Sequence, residues 1–99
     1  MSAVMQTLSD EAVASARRMF PMPSAESLIR YIDRGVPTGD FLRAVLANDL
    51  VQASRLADHA NATRLAGYGM WLDRYAPTEC YGSHRAVQAW VEAFREAGE

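Results

Sequence analysis

The stretch from Val36 to Leu50, V-P-T-G-D-F-L-R-A-V-L-A-N-D-L, limits the possible folds of this chain more than any other. Pro37 fixes its own φ and cannot continue a preceding helix, Thr38 offers a capping hydroxyl, and Gly39 admits close backbone approach. A helix therefore starts at Gly39 or Asp40. Phe41, Leu42, Val45 and Leu46 follow with helical spacing, and Leu50 continues the stripe one turn later. That face calls for burial. Asn48 and Asp49 are poor helix-interior residues and good caps, so they mark either a corner between two helices or a polar notch within one.

The flanking segments read as helices packed on this one. Between Ser2 and Phe20, the residues Met5, Leu8, Ala12, Ala16, Met19 and Phe20 share a helical face, with Ser9-Asp10-Glu11 as an alternative start. Pro21 and Pro23 end that helix. Ser24 is expected to cap the next, with Leu28, Ile29 and Ile32 as its stripe and Gly35 as its stop. From Leu50 nearly to Pro77 the spacing of Ala53, Ala57, Ala60, Arg64, Tyr68, Trp71 and Tyr75 predicts one long helix. Gly67 and Gly69 would each cost it about 1 kcal/mol relative to alanine, so close approach of another helix is expected there. After the turn-rich P-T-E-C-Y-G, Ser83 caps a last helix carrying Val87, Trp90, Val91 and Phe94. No strand pattern competes. The expected fold is all-α, a single domain over 1–99 with four or five helices, one of them long and central.

A chain of 99 residues buries roughly 60 to 65% of its extended surface, enough for a modest core. Cys80 is the only cysteine, so no internal disulfide forms. There is no run of eighteen apolar residues and no charged-then-apolar leader pattern, which points to the cytoplasm and away from membranes. A net charge of −2 argues against a duplex nucleic-acid partner, whose phosphates need a basic face. All ten basic residues are arginine, whose planar fork suits carboxylates and phosphates. Alanine-rich helices pack closely, and a homo-oligomer is expected.

The polar residues suggest a ligand corner. Gly82 and Ser83 open the last helix with free amides, and His84 and Arg85 place cations where only a bound anion makes them favourable; ordinary capping by Ser83 is the alternative. Arg30 and Arg34 lie one turn apart before the Pro37-Thr38-Gly39 turn, where Arg34 either meets an anion or satisfies the last carbonyls of its helix. Asp58, His59 and Asn61, with Arg64 close by, can line a pocket, bridge subunits or face water. Tyr68, Trp71, Tyr75 and Tyr81 can stack a base or fill the core. Cys80 and His84 lack a third group spaced for a nucleophile, the His, Cys and Asp residues lack metal spacing, and neither a P-loop nor a dinucleotide glycine fingerprint occurs. Binding without catalysis and without a cofactor is the expectation.

The chain also resembles short accessory proteins of tailed phages and prophages. The resemblance rests on P-T-G-D-F-L-R-A-V-L-A-N-D-L, on Ala57, Asp58 and Asn61, and on Pro77, Cys80, Gly82 and Ser83 followed by Trp90. It spans about two thirds of the chain and misses the first helix. It implies a setting in the host cytoplasm, where such proteins counter host defence by sequestering a signalling nucleotide or occluding a protein. The small phosphorylated ligand expected on this basis would sit at Gly82, Ser83, His84 and Arg85. Asn48, Asp49, Asp58 and Asn61 would be polar liners, and Arg30, Arg34 and Arg64 phosphate forks. The second expectation is a protein-binding inhibitor or adaptor acting through an apolar and arginine-bearing helical surface.

Overall fold

The computed structural model describes residues 8–98; Met5 and the expected helical start at Ser2 lie outside them. The described residues form an all-α fold of seven helices and one 3₁₀ turn. These are α1 (Asp10–Met19), α2 (Met22–Arg34), α3 (Asp40–Leu46), α4 (Leu50–Leu56), α5 (His59–Ala62), α6 (Leu65–Tyr75), the turn Thr78–Cys80 and α7 (His84–Ala97). In space, α1 packs on α2 and α6, while α3 lies against α4, α6 and α7.

Helix α1 begins where Ser9 accepts a hydrogen bond from the Ala12 amide. Its stripe of Leu8, Ala12, Ala16 and Phe20 is buried, but Met19 stays 37% exposed. Helix α2 starts earlier than expected. Pro21 takes the N-cap position with Pro23 in the first turn, where a missing N–H does no harm, so Ser24 is no cap. Arg17 at the end of α1 donates through two nitrogens to Glu26, at 2.6 and 3.1 Å. Gly35 closes α2 in the left-handed region, φ 68°. Gly39, with no help from a Thr38 side chain, precedes α3.

The long central helix does not form. Ala57 turns extended, and the Asp58 carboxylate caps α5 by accepting from the Asn61 amide at 2.8 Å. A second break falls at Thr63-Arg64, where the Arg64 guanidinium donates to the carbonyls of Met19 and Ala60. Side-chain competition for backbone groups has thus divided one segment into three short helices. The count rises from four or five to seven for that reason.

The core gathers Leu28, Tyr31 and Ile32 of α2, Leu46 of α3, and Tyr68, Trp71 and Leu72 of α6. Phe20 stacks on Tyr68 with centroids 3.9 Å apart and rings 5° from parallel. Three aromatic polar groups of the core find backbone partners. Trp71 Nε1 donates to Ala12 O (3.2 Å), the Tyr31 hydroxyl to Cys80 O (2.7 Å), and Trp90 Nε1 to Tyr31 O (3.0 Å). These bonds tie α6 to α1, the 3₁₀ turn to α2, and α7 to α2. Among the described residues no buried side-chain nitrogen or oxygen lacks a partner, which is the condition for burying polar groups at little cost.

Gly35 bears the heaviest local constraint. It sits in the left-handed region, and a Cβ built there would land inside the Phe94 side chain of α7. Gly35→Ala is therefore expected to destabilise the protein by about 2 kcal/mol or more, combining left-handed strain with a clash against a packed ring. Urea unfolding followed by circular dichroism measures this, and an unchanged midpoint would contradict the packing described.

Candidate functional site

The chain reverses direction between α3 and α4 at Asn48, which holds φ 62°. Asparagine tolerates that region better than most residues. The turn is closed by hydrogen bonds from Asn48 N to Val45 O (3.1 Å) and from Asp49 N to Ala44 O (2.9 Å). Asp49 then caps α4, its Oδ1 accepting from the Gln52 amide at 3.3 Å. From the far end of the chain, the Gly82 amide donates to Leu46 O at 2.7 Å. The corner and the loop before α7 are thereby held side by side.

A cleft of about 470 Å³ opens beside this junction, between α3, α4 and α6. Asn48, Asp49 and Gly82 line its polar end, and Val45, Leu50, Leu65, Leu72 and Tyr81 make most of its wall. Ala44, Ala53, Ala66 and Gly69 leave the space open by being small. A Cβ added at Gly69 meets nothing within 4 Å, whereas one at Gly67 reaches Met19 and Phe20 at 3.4 and 3.6 Å. The close approach expected of both glycines thus holds for Gly67, against the end of α1, and fails for Gly69, which borders empty space.

Electrostatics at the rim centre on Asp49. His84 Nε2 stands 3.2 Å from its Oδ2, with the two side chains 59% and 36% exposed. The hydrogen bond from His84 and the one from the Gln52 amide hold the Asp49 carboxyl below the usual aspartate range. Ser83 is exposed and caps α7, its hydroxyl accepting from the Ala86 amide at 3.0 Å. Arg85 is exposed and does not line the cleft.

The other expected site residues serve elsewhere. Asn61 is buried, accepting from the Tyr68 hydroxyl at 2.6 Å and donating to Ser24 Oγ at 3.4 Å. Asp58 caps α5, and Arg64 is spent on two carbonyls. Arg30 and Arg34 are exposed on α2, outside the cleft. Tyr68 and Trp71 belong to the core rather than to a base-stacking surface. Cys80 is fully buried, and burial pushes its thiol up to about 12, far from a reactive thiolate at neutral pH. Among the described residues no group of three or more His, Cys, Asp and Glu side chains is placed to hold a metal ion. Among the described residues no helix is long and apolar enough to cross a membrane.

The apolar lining escaped the sequence reading because small residues carry no chemical signature. Gly69 was the available signal, a helix-interior glycine. Comparison with protein-family models, with curated proteins and with solved structures finds no match to this chain.

Two measurements check this geometry. Gly69→Ala should stabilise the protein by about 0.5–1 kcal/mol, since the helix gains propensity and the new methyl meets no neighbour; a loss of stability would mean the space is not there. The Asp49 contribution to stability is present at neutral pH and lost as pH falls through its depressed titration point. In a carboxyl-detected NMR titration Asp49 should therefore titrate below an ordinary aspartate, and His84→Ala should move its midpoint upward.

Proposed function

We propose that this protein is a non-catalytic receptor that sequesters a small, largely apolar ligand in the cleft between α3, α4 and α6. The observation that carries the reading is a cleft of about 470 Å³ with mostly apolar walls and a few polar groups, Asn48 and Asp49 among them, in its lining. That is the size and character of a small-molecule site. The buried thiol of Cys80 supports binding over thiol-based nucleophilic chemistry. In the phage setting that the sequence resemblance implies, the ligand would be a molecule of the host, withdrawn from use by being held.

A phosphorylated ligand fits this cleft less well than the sequence led us to expect. No basic side chain is among the described residues lining it, and the one carboxylate there, Asp49, repels a phosphate. An anion would have to sit outside the cleft, at Ser83 and Arg85, where the Ser83 hydroxyl is already engaged in capping.

A second reading, a protein-binding adaptor, draws on a different surface. Met70 is 70% exposed and shares with the 37% exposed Met19 a groove of about 520 Å³ along α1 and α6. Exposed methionines with a tryptophan beneath them suit an adaptable contact surface, toward a second copy of this chain or another protein.

Thermal-shift screening of the protein against apolar, amphipathic and nucleotide ligands tests the first reading. A ligand at a hundred times its dissociation constant should add about 2.7 kcal/mol. The shift should vanish in Gly69→Leu, whose side chain fills the cleft, and persist in Met70→Asp. Nucleotide shifts that survive Gly69→Leu would return the site to Ser83 and Arg85. Absence of any small-ligand shift, together with an assembly in sedimentation that Met70→Asp dissolves, would favour the second reading.

A further inference from the structure

We propose that the cleft selects a ligand with an apolar body and a single cationic head, and that Asp49 sets this preference. The inference rests on the cleft being a receptor and adds the charge of what it receives. Asp49 is the only carboxylate among the described lining residues, which include no basic side chain, and it is set against mostly apolar walls. Its carboxylate is 36% exposed at the mouth, and its Oδ1 is anchored by the Gln52 amide, so the group is held in place before a ligand arrives. Oδ2 faces His84, whose side chain is 59% exposed and can withdraw into water at little cost. A cationic head can therefore take the place of the imidazole on Oδ2.

Neighbouring chemistry agrees. Tyr81 lines the same cleft and supplies an aromatic ring, a surface that attracts cations. Arg64, next to the lining residue Leu65, donates to the Met19 and Ala60 carbonyls and is not itself a lining residue. Apolar walls exclude water from the ligand body and strengthen the attraction at the rim, while an anionic head would meet Asp49 as a like charge. His84 then acts as a placeholder: it satisfies Asp49 in the empty protein and competes with the ligand for it.

Octylammonium, 1-octanol and octanoate, which share one apolar tail and differ in head charge, test this by calorimetric titration with the folded chain. Octylammonium should bind about tenfold tighter than octanoate, in line with one partly exposed charge contact. Asp49→Asn keeps a good helix cap and should bring the two probes within about twofold of each other. His84→Ala should tighten octylammonium several-fold while leaving 1-octanol unchanged. Equal binding of all three probes to the native chain, abolished by Gly69→Leu, would overturn the charge preference while keeping the receptor. Tighter binding of octanoate would overturn it as well. Binding of none would remove the receptor reading itself.

Discussion

The reversal of the chain at Asn48 is the constraint on which the cleft depends. It uses one residue in the left-handed region and ends α3 with its carbonyls taken, Val45 by the Asn48 amide, Ala44 by Asp49 and Leu46 by Gly82. A helix end satisfied in this way needs no water beneath it. The next helix then packs on α3 with Ala53 buried, while Leu50 and Val51 stay 67% and 71% exposed. Had the helix run straight through, the apolar stripe from Phe41 to Leu50 would have been continuous. The α4 segment could then not have stood beside α3 as a separate wall of the cleft.

That outcome also marks the limit of apolar periodicity as a guide. It located α1, α2, α3 and α7 because in each a stripe at helical spacing faces the core, as with Leu28 and Ile32 or Val87 and Val91. Between Leu50 and Tyr75 the same spacing suggested an unbroken helix. Of that stripe Ala53, Tyr68 and Trp71 are buried, whereas Leu50, Ala60 and Arg64 are exposed and Asn61, off the stripe, is buried instead, so the buried side shifts where the helix breaks. Hydrogen-bond continuity is a separate matter, decided by the capping carboxylate of Asp58 and the carbonyl-binding guanidinium of Arg64. Both residues were visible as polar interruptions. Their action on the backbone depended on partners, such as Met19 O, that only the fold brings near.

The site was legible to the extent that it is built from caps. Asn48, Asp49, Gly82, Ser83 and His84 are turn and cap residues with recognisable chemistry, and they do converge, with His84 reaching Asp49 at 3.2 Å. Asn61 is a buried amide bonded to Tyr68 and Ser24, which has the same sequence appearance as one aimed at a ligand. Arg64 carries a different ambiguity: a guanidinium suits backbone carbonyls as well as phosphates, and here the Met19 and Ala60 carbonyls take it.

Gly67 and Gly69 give the clearest contrast between residues that serve packing and residues that leave room. Both sit inside α6, where a glycine costs roughly 1 kcal/mol against alanine. At Gly67 the cost accompanies close contact with α1 through Met19 and Phe20. Gly69 has no such return: its missing methyl would touch nothing, and the space it leaves belongs to the cleft. The fold elsewhere satisfies its buried polar groups and fills its core with stacked rings, so a locally unfavourable residue beside an unfilled apolar space stands apart. Stability forgone without a packing partner is what a receptor requires, since a pocket must stay open in the absence of its ligand. On that ground the cleft, rather than the start of α7 alone, is the feature of this molecule that favours a binding function.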